Sequence, residues 1–353
     1  MEHAHAITDA LRRLHREAPV TALERDAGVQ GRLGAWVSER VSVAVSEFTA
    51  AAALVVLFVA LSLASPNFLT ADNLFNIGSQ TAVIAIIAVA QTMVIITKGI
   101  DLSVGSTAAL AGVMAAIVVR DLGVSVWTAA LVAIAVGAAC GLVNGLLVSV
   151  VRLPPFIATL GTMSAGRGLV FIVTGAVGVY SLPESFQLLG NGQIGGVPFA
   201  IVVTALVALA VGYLLSQSRF GQHVYAMGSN LEAARRAGIA VRRKLTAVYV
   251  LAGALVGLGG VIAASRVNSG QPNYGIGLEL DAIAAAVIGG ASLFGGQGRI
   301  AGTLIGAFLI ALVRNGSVLL GISIHYQQVI VGLIIWAAVA FDQFRRRRLE
   351  ARG

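Results

Sequence analysis

Charge is what this sequence lacks most: Asp, Glu, Lys and Arg together make up 11% of its 353 residues. A soluble domain carries about a quarter, so this chain cannot clothe a water-facing surface. Cysteine is nearly absent too. Cys140 stands alone inside an apolar run, which excludes a disulfide framework or a cysteine metal site and leaves a small packed hydrophobe. The five histidines (His3, His5, His15, His223 and His325) have no metal-ligand spacing, and no Ser/His/Asp constellation is readable. Neither catalytic nor metal residues are therefore expected. What remains is 57% hydrophobic, with 42 glycines spread through the apolar runs, as expected where helix backbones approach closely in a membrane.

Dividing the apolar runs by the roughly 20 residues a bilayer-spanning helix needs predicts an all-α membrane protein of about ten transmembrane helices. The expected spans are 48–64, 74–97, 102–119, 126–150, 155–175, 198–215, 245–265, 280–295, 300–319 and 324–341, the short eighth being one that could tilt or sit partly within protein. All but four of the 24 basic residues then fall on one side, the exceptions being Arg120, Arg167, Arg266 and Arg314. Basic segments are retained in the cytoplasm during insertion, so both termini are expected inside. This distribution, not nucleic acid, accounts for the net charge of +8.

Three segments lie outside the spans. Residues 1–47 are read as a cytoplasmic tail with two amphipathic stretches, one around Ile7, Leu11 and Leu14 and one around Trp36, Val37 and Val41; an ordinary solvated tail and a pair of membrane-surface helices on anionic lipid both fit. Residues 345–353 form a basic cytoplasmic tail. Between spans six and seven, residues 216–244 are the most informative soluble stretch. Ser229-Asn230-Leu231-Glu232 has the S-x-x-E spacing of a capping box, Ala233, Ala234 and Ala237 favour helix, and Gly238 can close it in a left-handed conformation. The expected product is a cytoplasmic helix of about two turns, roughly 12 Å long. A helix that short is unstable alone in water and so needs a docking partner.

Glu232-Ala233-Ala234 followed by Gly238 resembles the E-A-A-x-x-x-G coupling motif of permeases in ATP-binding-cassette (ABC) importers, without the usual downstream Leu-Pro. Gly99-Ile100-Asp101-Leu102-Ser103-Val104-Gly105-Ser106 is similar to the signature of ribose-type sugar permeases. The same pattern continues in Ser65-Pro66-Asn67-Phe68, Pro155-Phe156-Ile157-Ala158-Thr159-Leu160-Gly161, Leu280-Asp281-Ala282-Ile283 and Gly302-Thr303-Leu304-Ile305-Gly306, in order over residues 48–342. The resemblance implies the ABC importer permease fold and a bacterial inner-membrane subunit carrying a monosaccharide such as ribose. It implies pairing with a second permease subunit as a homodimer, and docking of a cytoplasmic ATPase that binds ATP and Mg. A sugar-binding protein delivers cargo from the other side. Since the chain has no G-x-x-x-x-G-K-S/T loop, ATP is hydrolysed in trans. A nucleoside, polyol, signalling sugar or branched-chain amino acid could use the same machinery; an ion-coupled secondary transporter is the reading from another class. Gly141-x-x-x-Gly145 and Gly302-x-x-x-Gly306, five spans apart, are consistent with an inverted repeat.

Polar groups at membrane depth complete the candidates, because their cost requires a reason. Asp101, with Ser103 beside it, would cap span three or shape an inner gate, and Asp281 would do the same for span eight. Asn144, Arg167 and Arg314 lie deeper; the arginines would bond sugar hydroxyls in the path or satisfy carbonyls of neighbouring helices. Phe156, after Pro154-Pro155, would narrow the pore or merely pack.

Overall fold

The computed structural model describes residues 48–350, so the amphipathic stretches expected within 1–47 and the end of the basic tail at 351–353 lie outside the described residues. The packing of interest lies within one compact unit, Val45–Gln343. Its helices are α1 Phe48–Ala64, α2 Ala71–Ile96, α3 Val104–Leu122, α4 Val126–Leu146, α5 Pro155–Thr174, α6 Leu188–Asn191, α7 Phe199–Gln217, α8 Arg219–Ser229, α9 Leu231–Arg236, α10 Val241–Arg266, α11 Leu278–Ile288 and α12 Ile300–Leu319. A last helix, α13, runs over Ile324–Glu350.

The helix ends follow local chemistry. Thr70 caps α2 by accepting from Asn73 N–H, and Ser125 caps α4 by accepting from Thr128 N–H. Pro155 occupies the first position of α5, where a missing N–H costs nothing. α3 and α5 stop at Gly123 and Gly175, both left-handed. α4 continues through one π turn, Leu147–Val151, before Arg152 ends it. Between α6 and α7, Gln193–Ile194 pairs antiparallel with Val197–Pro198 across Gly195-Gly196, two glycines at positive φ that make a tight hairpin turn.

Among the described residues seven helices are long and apolar enough to cross a bilayer: α2, α3, α4 with its π turn, α5, α7, α10 and α12. The expectation of about ten full spans is therefore loose, and the eighth is corrected. α11 has 11 residues, about 16 Å of helix against a hydrocarbon core of about 30 Å. Gly277 at φ 81 begins it, and Gly289 with the left-handed Gly290 ends it. On its N-terminal side the chain dips between helices: Gly270 pairs with Val179 and sits against Val113 and Ala116, and Gly275 reaches the backbone of Gly105. On its C-terminal side the glycine-rich run 289–299 turns back to the ends of α2 and α8, with Gly296 N–H donating to Ile96 O at 2.8 Å.

Burial separates the helices. Of the most apolar window of α2, 89% is buried, against 22% in α5 and α7, so α2 is central and α5 and α7 are peripheral. α2 and α10, each of 26 residues, cross at the centre in opposite directions: Gly259 packs on Ile87 and Tyr249 on Gly99. α10 packs chiefly on α3 and α4, whereas α2 packs on α11 and α12 as well as on α10. Each central helix thus inserts into the other half, as an exchanged, inverted pair of repeats would. The two glycine pairs both make close crossings, but against different partners. A Cβ at Gly141 would lie 2.1 Å from Tyr249 O on α10, and one at Gly306 2.0 Å from Ala285 O on α11.

Candidate functional site

The segment 216–244 folds as two short helices on one face of the bundle. Ser218 caps α8, its Oγ accepting from Gly221 N–H at 3.2 Å. α9 follows, with six residues and a length of about 9 Å, shorter than the two turns expected. Its cap is Asn230, whose Oδ1 accepts from Ala233 N–H at 3.0 Å. Ser229 is instead the last residue of α8, and its carbonyl accepts from Lys98 Nζ at 3.3 Å. A tertiary contact decides between these adjacent caps. Gly228 lies so close to Ile96 that a Cβ would fall 1.8 Å from the Ile96 carbonyl oxygen, which fixes the end of α8 and puts the bend at Asn230. With the cap moved by one residue, Glu232 loses the capping-box spacing and pairs with Arg235 at 2.8 Å. Gly238 closes the helix at φ 81, donating to Arg235 O at 3.1 Å while Ile239 N–H donates to Ala234 O at 3.1 Å.

Ala234 is buried beneath α9, while Leu231, Glu232, Ala233, Arg235 and Arg236 stand exposed. Beside them lies a groove of about 830 Å³ whose charged lining residues are all basic: Lys98, Arg152, Arg235, Arg242 and Arg243. Tyr225 of α8 donates to Gly298 O at 2.7 Å. α8 is therefore fastened both to the end of α2 and to the 289–299 turn, and α9 follows directly from it into α10.

Inside the bundle, the break between α2 and α3 is closed by side chains. Asp101 Oδ1 accepts from Ser103 N–H at 2.8 Å and from Ser103 Oγ at 2.6 Å. Asn144 Nδ2 of α4 donates to Ser103 Oγ at 2.9 Å and approaches Asp101 Oδ2 at 3.4 Å. Oriented to satisfy both groups, the Gln91 amide accepts from Asp101 N–H at 3.2 Å and donates to Asp101 O at 3.1 Å. Thr159 Oγ of α5 accepts from Leu102 N–H at 3.1 Å. All these side chains are buried, so Asp101, Ser103 and Asn144, with Gln91 of α2 and Thr159 of α5, form one cluster where α2, α3, α4 and α5 meet. Phe156 is half exposed and lines neither the basic groove nor the recess described next.

The break before α11 is built differently. Arg167 of α5 donates through Nη1 to Pro272 O at 2.8 Å and Tyr274 O at 2.7 Å, carbonyls of the loop before α11 rather than of a neighbouring helix. Arg314 of α12 forms an ion pair with Asp281 Oδ2 in the first turn of α11, and Arg266 donates to Asn76. Around these groups is a recess of about 310 Å³, lined by Gln80, Arg266, Asn273, Tyr274, Asp281 and Arg314 with apolar Val83, Ile84 and Ala263. Gln80, Gln91 and Thr159 were not singled out from the sequence. The available signal was a polar side chain inside an apolar run, which marks Gln91 clearly within 82–96 but not its partner.

The family described as the branched-chain amino acid transport system / permease component matches residues 73–339. The chain is 45% identical over 294 residues to the ribose import permease protein of Escherichia coli, covering 82% of this chain and 91% of that one. It is 41% identical over 292 residues to the ribose import permease protein of Bacillus subtilis, covering 82% and 90%. With the D-allose transport system permease protein of Escherichia coli it shares 37% over 283 residues, covering 80% and 86%. No solved structure matches the chain. With apolar helices that cross the bilayer several times and a match that runs through nearly all of them, the chain belongs to this family of inner-membrane transport permeases.

Proposed function

We propose that the chain is the permease subunit of an ABC importer and forms the membrane path for a monosaccharide such as ribose. The observation that carries this reading is α9, a capped surface helix closed at Gly238 and carried on α8, which is itself fastened to the end of α2 and to the 289–299 turn. A helix of this length has no stability of its own; held rigidly and left exposed, it suits insertion into a cytoplasmic ATPase that binds ATP and Mg. The relatives named for ribose and D-allose favour a sugar as cargo, delivered by a binding protein on the opposite face. The basic groove favours a cytoplasmic position for α9, and with it for both termini.

A second permease copy, most simply an identical one, completes the path. α5 supports this: Gly161, Ser164, Ala165 and Gly168 fall at helical spacing and are all exposed, the small-residue face along which membrane helices approach. An ion-coupled carrier would use free buried carboxylates. Here Asp101 is held by Ser103 and Asn144, and Asp281 is paired with Arg314, which disfavours it.

The test is reconstitution in vesicles with and without the ATPase. Ribose uptake should require both that subunit and ATP; uptake driven by an ion gradient alone would refute the reading. Within that assay, Gly238→Val should insert normally but lose ATPase association or stimulated hydrolysis. A Cβ there meets nothing within 4 Å, so the damage is the left-handed backbone itself, about 1–2 kcal/mol for an L-residue. Glu232→Ala, which breaks only an exposed pair, should couple almost normally.

A further inference from the structure

The basic groove beside α9 gathers more positive charge than its surroundings neutralise. Its charged lining residues, Lys98, Arg152, Arg235, Arg242 and Arg243, are all basic. Lys98 is turned to the Ser229 carbonyl and Arg235 to Glu232. No carboxylate among the described residues pairs with Arg152, Arg242 or Arg243. One contact brings these three arginines together. Ser149 in the π turn of α4 and Thr246 of α10 share a hydrogen bond of 2.7 Å between their hydroxyls. Arg242 and Arg243 stand four and three residues before Thr246, on the same side of α10, and Arg152 follows Ser149 by three. The first turn of α10 holds no acidic residue, although the positive end of a helix favours one, so the like charges are left to repel.

The same arginines stand at the foot of a lipid-facing helix. α4 with its π turn is apolar enough to cross the bilayer, and only 28% of its most apolar window is buried. Leu131, Leu142, Leu146 and Val150 are exposed along one side of it. That strip is about 30 Å long, matches the hydrocarbon thickness and ends two residues before Arg152.

We infer that Arg152, Arg242 and Arg243 hold the phosphodiester of an anionic phospholipid whose acyl chains lie along the exposed strip of α4. Guanidinium forks match phosphate oxygens two at a time, and basic pockets between membrane helices suit such headgroups. A zwitterionic lipid brings its own cation and leaves the arginines unneutralised. An acidic protein surface or a free phosphate meets the charges but has no use for the strip, which faces hydrocarbon. Only the bilayer crossing is needed for this site, not the importer reading.

The test titrates the full chain, purified in a delipidating detergent, with dioleoyl phosphatidylglycerol or dioleoyl phosphatidylcholine and counts bound lipids by native mass spectrometry. The most tightly held lipid should be phosphatidylglycerol, and inorganic phosphate should not displace it. An arginine close to an anionic headgroup is worth about fivefold in affinity. Arg243→Gln should therefore weaken the first site about fivefold, and Arg152→Asn combined with Arg243→Gln about 25-fold. Asn tolerates the left-handed backbone that Arg152 adopts at φ 66, so the fold is spared. Arg219→Gln, which removes an exposed charge outside the groove, should leave the affinity unchanged. Equal retention of the two lipids (the result if a second copy covers the strip), displacement by inorganic phosphate, or equal losses in Arg219→Gln and Arg243→Gln would each overturn the site. In nanodiscs of phosphatidylcholine alone, the double variant should bind the ATPase as the parent does. Loss of the ATPase there would assign the arginines to that subunit and overturn the lipid site. Lipid retention is read without ATPase or transport, so its failure and that of the importer reading are told apart.

Discussion

The two breaks that interrupt the central helices solve the same problem in opposite ways. Between α2 and α3, residues 97–103 expose backbone groups inside the bundle: Gln91 meets the N–H and C=O of Asp101, Thr159 meets Leu102 N–H, and the Asp101 carboxylate meets Ser103 N–H, with Asn144 donating to the Ser103 hydroxyl. Before α11, residues 267–277 do the same, but a single arginine from α5 takes two carbonyls and a cavity remains beside them. Non-helical backbone at membrane depth is tolerated only where protein buries it or a cavity is lined by it. The first break is the buried kind, its backbone groups met by side chains although Asn144 Oδ1 has no partner among the described residues; the second is the cavity kind, with more polar capacity to spare. The more completely a network is satisfied, the more it rigidifies.

The sharpest way to break this comparison is at Gly275, where the second loop touches the first half of the chain. Its φ is 76, and a Cβ there would lie 2.3 Å from Gly105 O, a backbone atom. Gly275→Val must therefore push α3 and the loop apart. It should cost more than about 4 kcal/mol and abolish monodisperse protein in detergent. If the variant purifies and melts like the parent, the loop does not reach Gly105 as described.

The next effect separates the two kinds of support. Arg167→Leu removes one donor group but leaves two carbonyls unmet, at about 1–3 kcal/mol each, so a loss of about 2–6 kcal/mol is expected. Arg167→Lys keeps the charge and loses the fixed fork geometry, and should fall between Arg167→Leu and wild type. Thermal unfolding of purified protein measures both. Equal stability of Arg167→Lys and wild type would mean that charge, not the two-carbonyl geometry, holds the loop.

These supports also mark how far the sequence could be read. Spans such as 48–64 and 300–319 coincide with α1 and α12 because uninterrupted apolar runs leave one solution in a bilayer. The eighth failed as a full span because a window over 280–295 averages through Gly289-Gly290 and Gly295, which a hydropathy sum counts but a helix does not tolerate. Gly238 was legible because a helix stop is local. Asn230 displaced Ser229 through the contact of Gly228 with Ile96, and neighbours 132 positions apart leave no local trace. For the same reason Asp101, Asn144, Asp281 and Arg314 could be singled out as costly polar residues, while their pairing with one another could not.

The smallest effect is also the finest test, since it makes one chemical change at both breaks. Gln91→Leu and Gln80→Leu each replace an α2 carboxamide by an apolar group of similar size. Gln91 is buried and spans both backbone groups of Asp101, so its loss leaves an N–H and a C=O unpaired, at about 1–3 kcal/mol for each group. The Oε1 of Gln80 has no partner among the described residues. Replacing it removes an unmet polar atom without orphaning another, and the expected change is within about 0.5 kcal/mol, or slightly stabilising. The same melting curves that show Gln91→Leu destabilised should therefore show Gln80→Leu close to the parent. Two equal losses would mean that Gln80 is structurally engaged like Gln91, and the contrast between a closed joint and an open recess would fail.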